Sequence, residues 1–97
     1  MRGTKVLERR EQRAIHQVDT SLGLVGPRRL MTRDEAVKTL FALRESIDVP
    51  EADAEVYFIV DEAVRGFGPD LVVDRTRVLD PLLEIRSVLT RAQVAAV

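Results

Sequence analysis

Apolar side chains recur at intervals of three and four along three separate stretches of the chain. They are Ala36, Val37, Leu40, Phe41, Leu43 and Ile47, then Val56, Ile59, Val60, Ala63, Val64 and Phe67, and finally Val78, Leu82, Ile85, Leu89, Ala92 and Ala96. Each set lines one face of an α-helix. Such a face is stable only when another element covers it, so three of them predict helices packed on one another. Only Phe41, Tyr57, Phe58 and Phe67 are aromatic among 97 residues, which leaves an aliphatic interior of the kind that suits close helix packing. A chain of this length makes one domain with a core, and is too short for a core plus a deep private active-site cleft.

The ends of the helices are written in the residues between the stripes. Thr32-Arg33-Asp34-Glu35 carries the pattern of a capping box, in which the threonine hydroxyl accepts from the Glu35 amide while the glutamate reaches back to the Thr32 amide. Asp48-Val49-Pro50-Glu51 repeats that logic, with Asp48 as cap and proline in the first turn. Gly66, Gly68 and Pro69 end the second stripe. Pro81 would break the third stripe unless Asp80 caps the helix and Pro81 is its first residue, so the last helix is expected to start near Asp80. The predicted pair of middle helices therefore covers about 33–47 and 49–65.

A competing layout is α+β. Val56–Val60 and Leu71–Val73 are short runs rich in β-branched residues, and two strands could form there. Continuation of the helical spacing through Phe67 favours the all-α alternative: a small bundle of about four helices in a single domain spanning residues 1–97.

The N-terminal segment is different in kind. Residues 4–22 are good helix formers, but the apolar positions crowd into the second half, with Ile15, Val18 and Leu22 left to dock it. Residues 1–13 read as a basic arm or exposed helix carrying Arg2, Lys5, Arg9, Arg10 and Arg13. Gly23, Gly26 and Pro27 then break the helix, and a loop is expected to about Met31.

Charge is sorted along the chain. Residues 1–33 hold eight basic and three acidic side chains, residues 34–74 three basic and eleven acidic, and residues 75–97 four basic and two acidic. Such segregation steers encounter and register with a partner without specifying a reaction.

No cysteine is present, which removes disulfides, thiolate catalysis and cysteine-based zinc or iron–sulfur sites. The basic N-terminus runs into Arg- and Glu-rich sequence, and no stretch approaches the roughly 20 apolar residues that span a bilayer. A cytoplasmic protein with no membrane contact is expected. His16, the single histidine, lies one helical turn from Asp19 and Thr20, but nucleophilic catalysis also needs a hydroxyl or thiol and an oxyanion site that nothing here specifies. Glu51, Glu55 and Glu62 share a helical face with Asp53, Asp61, Asp70 and Asp74 nearby. That face reads as solvated and partly relieved by pairs such as Asp61 with Arg65, since neither a calcium loop nor a Glu-x-x-His pair is present. Gly23–Arg29 lacks the ending of a phosphate loop and reads as an interhelical connection.

Arg2, Lys5, Arg9, Arg10, Arg13, Arg28, Arg29 and Arg33 are the candidates for phosphate contacts with nucleic acid. A helix-turn-helix is disfavoured because the second helix would open with Glu51, Asp53 and Glu55 toward phosphates. The expected function is a non-enzymatic protein–protein interaction or assembly module without metal or cofactor, self-associating or part of a larger complex. Its partner surface is expected to be the seam Val78, Leu82, Ile85, Leu89, Ala92 and Ala96, with the basic arm meeting an acidic surface. The alternative is a small regulator that binds nucleic acid nonspecifically through that arm.

Overall fold

The computed structural model describes the backbone of residues 2–96 and the side chains of residues 10–92 and 94. Four helices carry most of the chain: α1 (Arg2–Val25), α2 (Arg33–Ser46), α3 (Asp53–Phe67) and α4 (Thr76–Ala96). Two three-residue strands, β1 (Leu30–Thr32) and β2 (Val72–Asp74), and a 3-10 turn at Pro50–Ala52 complete it. The architecture is the expected small helical bundle with a minimal sheet added, arranged as two helix–strand–helix units, α1–β1–α2 and α3–β2–α4.

The strands join the units. They run antiparallel with Leu30 opposite Asp74, Met31 opposite Val73 and Thr32 opposite Val72. Backbone bonds from Arg33 N to Leu71 O (2.9 Å) and from Arg75 N to Arg29 O (3.3 Å) extend the ladder at both ends. Two strands this short do not hold together alone in water. Met31 and Val73, 3% and 1% exposed, point into the helices and anchor the ribbon there.

The expected strand near Leu71–Val73 is thus present one residue later, but its partner is β1. Val56–Val60 is helical, with Val56 and Val60 buried one turn apart.

The start of α2 follows its sequence signature. Thr32 Oγ1 accepts from Glu35 N at 3.1 Å and Glu35 Oε1 accepts from Thr32 N at 3.3 Å, a complete capping box. The start of α3 departs from its signature. Asp48 caps nothing, and the chain instead buries Val49 and enters through the 3-10 turn, with Ala52 N donating to Val49 O at 2.9 Å. Burial of Val49 and Ala52 in the core outweighs the cap that Asp48 would have supplied. Gly68 closes α3 with φ of 56°, a left-handed conformation that glycine adopts without steric cost.

α4 begins four residues before the expected position. Asp74 Oδ1 accepts from Thr76 N at 3.1 Å and the Arg75 carbonyl accepts from Val78 N and Leu79 N, so the helix is nucleated ahead of Pro81. Pro81 stands inside it and forgoes one backbone hydrogen bond. The early start places Val78 on the buried stripe with Leu82, Ile85 and Leu89, all fully buried.

The core is aliphatic as expected, with Phe67 its one fully buried aromatic residue among the described side chains. α1 packs antiparallel to α4: Arg75 Nη1 donates to the Gly26 carbonyl at 2.7 Å near one end and Arg86 Nε donates to Asp19 Oδ1 at 2.7 Å further along. Ala14, Val18 and Val25 of α1 are buried in the core. The basic arm is the opening of this same continuous helix, in which Glu11 is already only 3% exposed while Arg10, Gln12 and Arg13 are exposed.

Candidate interaction groove

Four of the six residues expected to form a partner-binding seam are spent inside the molecule. Val78, Leu82, Ile85 and Leu89 are fully buried in the core, and Ala92 packs against its edge. The side chain of Ala96 lies outside the described residues. The period that marks an interface helix also marks a core helix, and here three other helices cover the stripe.

The basic residues separate in the same way. Arg10 lies 4.0 Å from Asp48, Arg28 is paired with Glu35, and Arg33 is half-buried, while Arg13 and Arg29 are exposed. The side chains of Arg2, Lys5 and Arg9 lie outside the described residues. His16 forms no base–orienter pair, because Asp19 is committed to Arg86 and Thr20 Oγ1 donates to the His16 carbonyl at 2.9 Å. Asp61 pairs with Arg44 at 3.2 Å and Arg65 with Glu62, in place of the expected Asp61–Arg65 pair.

The two strand-bearing connections, α1 to α2 and α3 to α4, share one device. Arg28 and Glu35 are seven residues apart and meet at 2.6 and 3.3 Å as a two-pronged guanidinium–carboxylate pair. Asp70 and Arg77, also seven apart, meet at 2.9 Å in the other unit with the charges exchanged, and Arg77 donates as well to the Gly66 carbonyl. In a helix–loop–helix calcium site alternate loop residues supply oxygens and a glutamate closes the loop. Taking Glu35 as the closing residue, the alternate positions before it are Thr32, Leu30, Arg28, Gly26 and Leu24. A guanidinium lies against that carboxylate, so these residues do not fit a cation. Among the described residues no three histidine, aspartate or glutamate side chains converge as a metal-binding group.

Arg28 donates to Glu35, and the Thr32 amide and hydroxyl donate to the same carboxylate; together they lower its pKa to about 2. The pairing raises the pKa of Arg28 in turn, and Asp19 does the same for Arg86 through a hydrogen bond.

A groove lies open along the junction of α3 and α4. A cleft of about 420 Å³ is lined from Ala54 and Glu55 through Phe58 and Ile59 to Glu84, Ser87, Val88 and Arg91. It continues past Ala63 and Pro81 to Gly66 and Arg77 in a second depression that shares Phe58, Ile59 and Glu84. Phe58 is 65% exposed at the point where the two meet. Helix geometry explains this: Val56, Val60 and Phe67 occupy the inward stripe of α3, and Phe58 projects away from it.

Carboxylates rim the groove. Glu55 is tied to Arg91 at 3.3 Å and Glu62 to Arg65 at 3.2 Å. Asp80 and Glu84, one turn apart on α4 and both exposed, make no ion pair among the described residues. Arg77 and Arg91, the cations at its two ends, are already engaged with Asp70 and Glu55.

The sequence stripes did not reveal this surface, because Phe58 lies off the periodic set and was absorbed into an apolar run. The usable signal is an aromatic residue on the face that α3 otherwise fills with Glu55, Asp61, Glu62 and Arg65.

Among the described residues no helix is long and apolar enough to cross a membrane. Comparison of the chain with family models, with curated proteins and with solved structures gives no match.

Proposed function

We propose that this chain is a non-catalytic protein-interaction module that receives a helix of another chain in the groove between α3 and α4. The observation that carries the reading is Phe58, largely exposed over an apolar floor of Ile59, Ala63 and Val88. Full burial of a phenylalanine contributes about 1.5–3 kcal/mol, and most of that gain is still unclaimed in the isolated chain. A partner that covers Phe58 would collect it, and aromatic residues seated in such grooves are the ones on which interface energies concentrate.

The shape favours a helix as occupant. The lining on α3 runs from Ala54 to Gly66, about 18 Å of helix, the length of roughly three turns laid alongside. Grooves between packed helices take amphipathic helices through apolar anchors at successive turns. The non-catalytic part of the reading rests on His16, whose nearest acid in sequence is held by Arg86.

Titration with a labelled amphipathic helix carrying leucine on one face and glutamine on the other tests this directly. Amide shifts confined to α3 and α4, lost in Phe58→Ser while the fold is retained, are expected. Shifts spread over α1 and α2, or unchanged binding by Phe58→Ser, would remove the reading.

A further inference from the structure

We infer that the occupant is an amphipathic helix from a different protein whose apolar face is flanked by basic side chains, with Asp80 and Glu84 taking its cations beside Phe58. The inference rests on the groove reading above and adds the charge of the partner.

Two observations select that charge. The first is how the rim is neutralised. Glu55 and Glu62 each have an arginine within 3.3 Å, whereas Asp80 and Glu84 have no cationic partner among the described residues. Like charges one turn apart on a helix repel each other, and among the described residues no ion pair offsets this repulsion at the wall of the open groove. A cation from outside is the group that would relieve it.

The second is that the groove's own cations are committed. Arg91 is held by Glu55 at one end, and Arg77 by Asp70 and the Gly66 carbonyl at the other. An anionic helix would find two free carboxylates and no free guanidinium. A phosphate backbone or an anionic lipid surface meets the same obstacle, so the chemistry favours a basic helix over either.

Placement adds a geometric requirement. Asp80 and Glu84 flank Phe58 from the α4 side, and both line the second depression together with it. A helix whose apolar anchor covers Phe58 therefore presents its adjoining flank to both carboxylates, and basic residues one turn apart on that flank match their spacing. Charge of this kind sets register and encounter rate, while Phe58 supplies most of the affinity.

Fluorescence anisotropy with the full chain and three labelled fourteen-residue peptides tests the inference. The peptides share one leucine face and differ only in flanks of arginine, glutamine or glutamate. The arginine peptide is expected to bind about tenfold more tightly than the glutamine peptide at low salt, with the glutamate peptide weakest and the differences shrinking as salt is raised. The double variant Asp80→Asn, Glu84→Gln should bring the arginine peptide close to the glutamine one, while Phe58→Ser weakens both. All substituted positions are exposed, and unchanged circular dichroism melts verify that the variants fold.

Equal binding of the arginine and glutamine peptides would overturn the charge assignment and leave the groove reading standing. Absence of binding by all three would overturn both. Sedimentation that detects a dimer of the chain abolished by Phe58→Ser would show that the occupant is a second copy and overturn the assignment to a different protein.

Discussion

Arg28 and Glu35 clasp each other at 2.6 Å across β1, and the same glutamate carboxylate closes the capping box on Thr32. One acidic side chain thus serves the loop, the strand end and the helix start together. Its pKa falls from the ordinary 4.5 to about 2. A carboxyl lowered in the folded state contributes stability above its unfolded pKa and loses it as pH falls through its folded one. The chain should therefore lose stability between about pH 4.5 and pH 2, and Glu35→Gln should flatten that part of the profile. Thermal melts across this interval measure the slope, and an unchanged acid limb in Glu35→Gln would contradict the assignment.

Thr32→Ala removes the hydroxyl that accepts from the Glu35 amide. Loss of such a cap costs about 1 kcal/mol. Urea denaturation should show a lower midpoint with an unchanged slope. Thr32→Ser, which keeps the acceptor, should recover most of the loss.

Arg44 lies between two rings, its guanidinium carbon 4.4 Å from the centre of Phe41 and 4.5 Å from that of Tyr57, with Asp61 at 3.2 Å. This stack fastens α2 to α3, and the side chain is only 16% exposed. Arg44→Ala should cost about 1–2 kcal/mol through lost cation–π contact and packing. Lysine, which cannot stack as a plane between both rings, should restore only part of it. A full rescue by Arg44→Lys in urea melts would argue that the charge alone matters.

Leu89 distinguishes a core stripe from an interface stripe. A carboxylate placed at this fully buried position has no partner to compensate its desolvation. Leu89→Asp should therefore unfold the chain at every concentration, and Leu82→Ala should cost about 2–5 kcal/mol. A Leu89→Asp chain that stays folded but dissociates from an oligomer, seen by circular dichroism and sedimentation, would return α4 to the interface role that its spacing suggested.

The elements legible in the sequence are those specified by neighbouring residues. Thr32 and Glu35 form their capping box from four consecutive positions, and the stripe on α4 is readable because helix period and burial agree along it. What escaped reading was decided by distant contacts. Asp48 is a good cap by type, yet Val49 and Ala52 have room in the core and draw the chain into a 3-10 turn instead. Pro81 is best tolerated in a first turn, yet Asp74 and Arg75 start the helix earlier and Val78 is buried as a result. The strands are too short for alternation to be seen, since Met31 and Val73 are the one inward residue of each. The candidate groove was hidden for another reason: Phe58 earns its meaning only from what stands across from it on α4.

Thr32 is both the last residue of β1 and the cap of α2, and it sits opposite Val72. Sliding one strand past the other by a single position would turn Met31 or Val73 outward, and a shift of β1 would carry Thr32, and with it the start of α2, along. The two halves of the molecule are therefore geared through Thr32, which belongs at once to the ribbon that joins them and to the first turn of α2.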